Sequence, residues 1–304
     1  MGSILVICLN PTFQRTMVFN QFLEGEVNRC STYRLDASGK GVNVARIIAQ
    51  AGGHAIHLTH AGGPRRQELL DMLDADGFET IYADSKSQIR TCTTIINTEN
   101  STTTELVEEP EPVSPDTDAL VRKLFTDALT EVSTVVISGT RTPGYSENLY
   151  PSFVQEAKKA GKRVVLDVKG TDLEESLAFK VDVIKPNLSE FAATFLPGVR
   201  VLEQEDSSEI QEIVVTKLKE LHALYGTAIL LTRGAHPVWI YDDSGFKELP
   251  VQQVQPVNTI GCGDAVTAGI ALELDRGEDF TKAVATGLSF GRINAERLRP
   301  GTIL

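Results

Sequence analysis

Cysteine is scarce: Cys8, Cys30, Cys92 and Cys262 are the four in 304 residues, far apart and without a C-x-x-C pair. That spacing suggests neither a disulfide framework nor a zinc site and fits a reducing compartment, so the expected location is cytoplasmic. Basic residues are short as well, 29 Lys and Arg against 41 Asp and Glu, a net charge of −12. Such a chain repels polyanions, which argues against nucleic acid or an anionic membrane as its main partner. No stretch approaches the ~18 apolar residues of a membrane span. The opening residues carry no basic segment, and their apolar run, Ile4-Leu5-Val6-Ile7, is too short for a secretory signal; it reads as a buried first strand. What is present is ordinary for a soluble globular protein, 41% hydrophobic and 23% charged, and long enough for one sizeable α/β domain with a small appendage.

In so acidic a chain, a phosphate-bearing ligand depends on a local cluster of cations and N–H groups. Val257-Asn258-Thr259-Ile260-Gly261-Cys262-Gly263-Asp264 offers one, followed by a helix-compatible segment from Ala265 to Leu274. A Gly-x-Gly turn entering a helix aims unpaired N–H groups at one point, with the positive end of the helix dipole behind them. Asp264 has two readings, an N-cap or a general base.

A second glycine-rich turn, Ser38-Gly39-Lys40-Gly41, leads into an amphipathic helix through Asn43 to Gln50. Lys40 stands where its ammonium can reach a ligand beside exposed backbone, although taken alone a turn lysine is most often solvated surface, and the spacing is not that of a Walker A loop. Around this turn, Thr12–Leu35 and Arg90–Val107 hold alternating segments rich in threonine and β-branched residues. They suit a half-exposed antiparallel sheet set beside the main domain, there to cover a site or to pair with another subunit.

The remaining chain alternates. Strand-like runs at His54–His60, Thr134–Ser138, Arg163–Val168, Val181–Lys185 and Ala228–Thr232 are mostly separated by helix-compatible segments at Arg65–Gly77, Tyr145–Gly161, Ser189–Phe195 and Glu209–Tyr225. That pattern predicts a mostly parallel central sheet with helices on both faces and ligands at the carboxyl ends of the strands. At those ends stand Gly139, Lys185 followed by Pro186, and Thr232 with Gly234. Asn187 and Glu190, three apart, share a helical face. They could order the waters of a magnesium ion, or form a capping box.

Together these residues resemble the ribokinase-like (PfkB) sugar kinases along essentially the whole chain, nearest the 1-phosphofructokinase and tagatose-6-phosphate kinase branch. The matching pieces are Gly39-Lys40-Gly41-x-Asn43-Val44, Ile89-Arg90-Thr91-Cys92, Ser138-Gly139, Lys185-Pro186-Asn187-x-x-Glu190, Thr232-x-Gly234, Asn258-Thr259-x-Gly261-x-Gly263-Asp264, and Asn294 followed by Pro300-Gly301. The resemblance implies a core of residues 1–11, 38–88 and 110–304, and a small β lid of residues 12–37 and 89–109 that often mediates homodimers. It implies transfer of the γ-phosphoryl group of ATP to a hydroxyl of a ketohexose phosphate, fructose 1-phosphate or tagatose 6-phosphate, with Mg2+ and with a monovalent cation left open. Asp264 would remove the acceptor proton while Gly261, Cys262 and Gly263 stabilise developing charge. Asn187 and Glu190 would order the metal, and Gly39, Lys40, Asn43, Arg90, Gly139 and Lys185 would hold the sugar's phosphate or the transferring one. Thr232, Gly234, Val257, Asn294 and the Gly261–Gly263 turn would line the nucleotide site.

The departures from the family pattern are Gln14 where an aspartate usually holds sugar hydroxyls, Ser38 for glycine, Lys169 for serine, and Cys262 for alanine or serine. Gln14 keeps a second reading open, the same chemistry on another sugar or a nucleoside-like acceptor. A third is a non-catalytic metabolite-binding protein, against which the intact Asp264 speaks. Cys262, a thiol at a helix N-terminus, is expected to have a lowered pKa and to be oxidation-sensitive. His54, His57 and His60 fall on both faces of a strand and are not expected to bind metal, Trp239 reads as packing or strand surface rather than a stacking platform, and Glu105–Glu111 reads as a solvated hinge.

Overall fold

The computed structural model describes residues 2–201 and 208–304. Strand β1 (Ser3–Ile7) lies inside the larger sheet, and its alternation divides the core. Leu5 and Ile7 join one apolar layer, Ile4 and Val6 the other. The chain then leaves the core as β2 (Thr12–Phe19) and β3 (Thr32–Ser38), and returns through α1 (Lys40–Gln50), β4 (His54–Gly62), α2 (Arg66–Ala75) and β5 (Glu79–Ser85). A second excursion forms β6 (Arg90–Asn97) and β7 (Thr102–Val107). From there strands and helices alternate: α3 (Pro115–Ala128), β8 (Val132–Ser138), α4 (Leu149–Lys159), β9 (Arg163–Asp167), α5 (Thr171–Leu177), β10 (Val183–Ile184), α6 (Leu188–Phe195) and α7 (Gln211–Tyr225). The chain ends on β11 (Ala228–Arg233), β12 (His236–Asp242), β13 (Gly245–Leu249), α8 (Cys262–Asp275) and α9 (Phe280–Ala295).

Nine strands pair in the order β13-β12-β11-β10-β9-β8-β1-β4-β5, parallel except for the β12–β13 hairpin at one edge. Phe125 of α3, Phe153 of α4, Phe191 of α6 and Leu218 of α7 cover one face. Ile47 of α1, Leu69 of α2, Ile270 of α8 and Val284 of α9 cover the other. Burying each such side chain contributes roughly 1.5–3 kcal/mol, and covering both faces is what lets the central strands read as continuous apolar runs. The expected α/β architecture is therefore what forms, with two corrections of extent. Strand β10 is only two residues because Pro186 lacks an N–H and because the Asp182 carboxylate, not a strand partner, takes the Val164 N–H at 2.7 Å. Strand β5, the edge hairpin, α3, α5 and α9 are elements that the sequence reading passes over.

The second sheet has four strands in the order β3-β2-β6-β7. It is mixed rather than antiparallel as expected, since β2 and β6 pair in parallel from Thr12 opposite Arg90 to Phe19 opposite Asn97. Both strands leave the core from the same edge in the same direction, so they cannot run opposite ways. Among the described residues no helix is long and apolar enough to cross a membrane.

Candidate active site

The carboxyl ends of β8, β9 and the β10–α6 connection converge on Asp167, the last residue of β9 and 1% exposed. Lys185 Nζ lies 3.3 Å from its Oδ2 and Lys40 Nζ 3.4 Å from its Oδ1. Thr267 Oγ1 (3.1 Å) and Ser138 Oγ (3.4 Å) donate to Oδ2. Burial alone would raise this carboxyl's pKa, but the two ammonium groups prevail and hold it below the usual carboxylate range. Burial works equally against charge on Lys40, and there the carboxylates of Asp167, Glu190 and Asp264 outweigh it and keep the amine protonated well above the ordinary lysine range. Lys40 Nζ is also 3.5 Å from Glu190 Oε1, so it bridges two carboxylates at the mouth of a cleft. That cleft, of ≈ 160 Å³, is lined by Lys40, Arg90, Gly139, Asp167, Lys169 and Glu190 among others.

Beside this cluster α8 begins. Its N-cap is Gly261, with φ +84°, a conformation that only glycine adopts without strain, and a Cβ there would lie 2.6 Å from the Gly301 nitrogen. The helix thus starts earlier than its apolar pattern indicates. Asp264 falls inside the first turn and does not cap it, which removes the N-cap reading. The first-turn N–H groups of Gly263 and Asp264 have no carbonyl one turn earlier to receive them. A Cβ on Gly263 would sit 3.5 Å from Lys185 Nζ, which places that ammonium against the same turn. Asp264 is 6% exposed, and Asn43 Nδ2 donates to its Oδ2 at 2.7 Å. Burial and the neighbouring Asp167 push its pKa up, Lys40, Asn43 and Lys185 pull it down, and the balance is about 6. A carboxylate so poised is suited to accept a proton near neutrality.

Asn187 and Glu190 form the capping box that the sequence left open. Asn187 Oδ1 accepts from Glu190 N at 2.7 Å, and Glu190 Oε2 accepts from Asn187 N at 3.1 Å. The box uses one Glu190 oxygen and turns the other, Oε1, toward Lys40. Arg90, the first residue of β6, lines the cleft and donates from Nη1 to the Glu108 carbonyl at 3.2 Å. Gly39 packs against Cys8 Sγ, and Gly139 against the Lys40 stem. Gly39, Lys40, Asn43, Arg90, Gly139, Lys185, Glu190, Gly261, Gly263 and Asp264 are thus gathered at one end of the sheet.

Other predicted residues are not among those lining the cleft. Gln14 is 2% exposed, and its Nε2 donates to Thr94 Oγ1 at 2.7 Å across the β2–β6 pair. Thr232 bridges to Asn187 at the end of β11, and Gly234 follows it on the surface. Val257 is exposed on the approach to α8, with its N–H on the Ala295 carbonyl at 2.7 Å. Asn294 stands behind the Gly261 turn, its Nδ2 donating to the Ile260 carbonyl at 2.9 Å and its Oδ1 accepting from Thr302 N at 3.1 Å.

Cys262 reverses its expectation. Burial pushes the thiol up to about 11, the Asn294 amide pulls it partly back, and Asp264 adds a smaller push upward. His57 and His60 are buried on opposite faces of β4, and burial holds both neutral, at about 3 and about 4. No cluster of three or more potential metal ligands occurs among the described residues. Trp239 is a packing residue, 1% exposed beneath the Arg233 guanidinium, which lies 3.9 Å from its ring centre. The sequence reading missed Asp167, whose only signal is an acidic residue at a strand's carboxyl end, and Arg46, which an amphipathic helix pattern would leave in solvent.

Known proteins match this arrangement along its length. Tagatose-6-phosphate kinase of Staphylococcus epidermidis is 25% identical over 304 residues, covering 99% of this chain and 94% of that protein. A possible 1-phosphofructokinase of Thermotoga maritima superposes with a TM-score of 0.87 at 21% identity, over 98% of this chain and 93% of that one. Phosphofructokinase-2 of Escherichia coli, in complex with fructose-6-phosphate, superposes at 0.84 and 21% identity, over 99% and 96%. The profile described as pfkB family carbohydrate kinase matches residues 9–303, nearly the whole chain. With the nine-stranded sheet, the small second sheet and the lysine–carboxylate cluster at the strand ends, this chain belongs to the pfkB family of carbohydrate kinases.

Proposed function

We propose that the chain transfers the γ-phosphoryl group of ATP to a hydroxyl of a ketohexose phosphate, with fructose 1-phosphate and tagatose 6-phosphate as first candidates. The observation that carries this is Asp264: a buried carboxylate with a pKa of about 6, placed in the first turn of a helix whose N–H groups are open, with Lys40 and Lys185 beside it. Asp264 takes the acceptor's hydroxyl proton as that oxygen attacks phosphorus. The Gly261–Gly263 turn holds the charge developing on the transferring group, which is most of what phosphoryl transfer demands of a protein. Lys40, Lys185 and Arg90 hold phosphate oxygens, and Asn43 orients the base. The nucleotide lies toward Thr232, Gly234, Val257 and the turn before α8, and the four-stranded sheet acts as the lid.

The residues fit Mg2+ carried on phosphates rather than caged by protein. Glu190 Oε2 is held in the capping box and Oε1 faces Lys40, Asn187 stands beside it, and no ligand cluster of three exists among the described residues. A magnesium ion bound there through its waters would neutralise charge on the nucleotide's phosphates. Gln14 favours a second reading on substrate alone. It is uncharged, buried and tied to Thr94, so no carboxylate stands where the family pattern has one to hold sugar hydroxyls.

ADP release with MgATP, measured against fructose 1-phosphate, fructose 6-phosphate, tagatose 6-phosphate, free ketohexoses, ribose and nucleosides, tests the proposal. Turnover of one phosphorylated ketohexose far above the rest is the expected result. Turnover of a free sugar or nucleoside instead would overturn the substrate class, and silence on every acceptor would overturn the kinase chemistry.

A further inference from the structure

Arg46 is a fully buried arginine in the middle of α1, 0% exposed and outside the cleft. Its Nε donates to Asp76 Oδ2 at 2.8 Å, its Nη2 to the Ala37 carbonyl, and its Nη1 to the Pro300 carbonyl at 3.2 Å and to Asn43 Oδ1 at 3.0 Å. Ser38 Oγ donates to that same Asn43 oxygen at 3.1 Å. Gly301 closes the other side, since a Cβ there would meet Asn43 at 2.5 Å.

An asparagine amide can face either way, and the two orientations are chemically opposite: one end donates and the other accepts. Guanidinium has five N–H donors and no acceptor, so it tolerates only the carbonyl end of Asn43. The NH2 end is then compelled to face Asp264, to whose Oδ2 it donates at 2.7 Å. We infer that Arg46 is a positioning residue: it fixes the Asn43 amide so that a donor, never an acceptor, faces Asp264. This rests on Asp264 being the base, as proposed above, and deepens that reading. An Asn43 oxygen turned toward Asp264 would repel the carboxylate and raise its proton affinity further. The anchoring extends outward. Arg299 bonds Asp76 and lies 3.1 Å from Asp36 of β3, and Asp36 also holds Arg34, so the second sheet is tied to the chain of contacts behind the base. The charged groups facing Asp264 are Lys40, Asp167 and Lys185. Cys262, its thiol protonated, stands beside Asp264 as well. The charged groups facing Arg46 are Asp76, Asp36 and Arg299, with the neutral His57 beside them.

The test compares Arg46→Gln, whose amide can accept as well as donate, with Arg46→Lys, whose ammonium is again a donor only. Two quantities are read: the pH midpoint of kcat/KM, and the titration of the Asp264 carboxyl by 13C NMR in enzyme without substrate, assigned with Asp264→Asn. Arg46→Gln should move both midpoints upward by about one pH unit, and Arg46→Lys should keep them near the wild-type value although both variants lose stability. Equal midpoints in Arg46→Gln and wild type would overturn the inference, as would an equal shift in Arg46→Lys. Asp76 keeps Arg299 when Arg46 is gone, and the Arg46→Gln, Asp76→Asn pair serves if the single variant does not fold. In the wild type the Asn43 side-chain NH2 should exchange slowly with solvent; exchange as fast as that of an exposed asparagine would also overturn it. The substrate-free titration needs no turnover, so failure of the kinase reading in the ADP assay is distinguishable from failure of this one.

Discussion

Lys185 and Asp167 form an ion pair at 3.3 Å with only 3% and 1% of their side chains exposed, beneath the turn that opens α8. A buried pair is held as much by the cost of breaking it as by its attraction, because removing one partner strands the other charge away from water. Asp167 also answers Lys40, so one carboxylate compensates two cations. Asp167→Asn should therefore destabilise the fold by about 3–5 kcal/mol, read as a lowered urea midpoint with an unchanged slope. A loss under about 1 kcal/mol would mean that water reaches Lys185, and that the pair is not the keystone of the strand ends.

Asp264 works in the opposite sense. Its pKa in the fold, about 6, lies above the aspartate reference of 3.8, so the folded state holds the proton more tightly than the unfolded chain does. The stability associated with that proton is complete below about pH 4 and lost as pH rises through about 6. Asp264→Asn removes the charge, keeps an acceptor for Asn43, and should be more stable than wild type by up to about 3 kcal/mol at pH 7, with no gain at pH 4. Turnover should fall about 10²–10⁴-fold in the same variant. Denaturant midpoints at the two pH values, measured beside kcat, check both halves; a variant less stable at pH 7 contradicts the first and unchanged turnover the second.

As the proposed base, the same carboxylate should set the pH dependence of the wild type. Only its ionised form can accept a proton, so kcat/KM should climb about tenfold per pH unit below 6 and level above it. A limb with its midpoint near 4 would place Asp264 in contact with far more water than 6% exposure admits.

The turn at Gly261 was legible because a glycine pair before a helix has few other uses, and Lys40 because a lysine between glycines is conspicuous. The alternation of apolar runs with helical patterns was legible for the same local reason: period and composition act within a few residues. Asp167 and Arg46 were not. Their roles are contacts with residues far along the chain, Lys40 and Thr267 for one and Asp76 and Pro300 for the other, and nothing in their own neighbourhoods marks them. The parallel pairing of β2 with β6 was hidden likewise, since direction depends on where both strands leave the core.

Cys262 shows what local reasoning overlooks when two effects oppose each other. A helix N-terminus favours a thiolate, but it acts over one turn and is worth about 0.3–1 kcal/mol, whereas withdrawing a thiolate from water costs several times that. At about 11 the thiol is all but wholly protonated at neutral pH. Alkylation of Cys262 by iodoacetamide at pH 7.5 should therefore run about a hundredfold slower than that of a free cysteine, and should accelerate as pH approaches 11. Peptide mapping of timed reactions reads the rate at each of the four thiols separately. Rapid labelling of Cys262 at pH 7.5 would show that the helix dipole prevails after all, and that the Gly261–Gly263 turn is open to water.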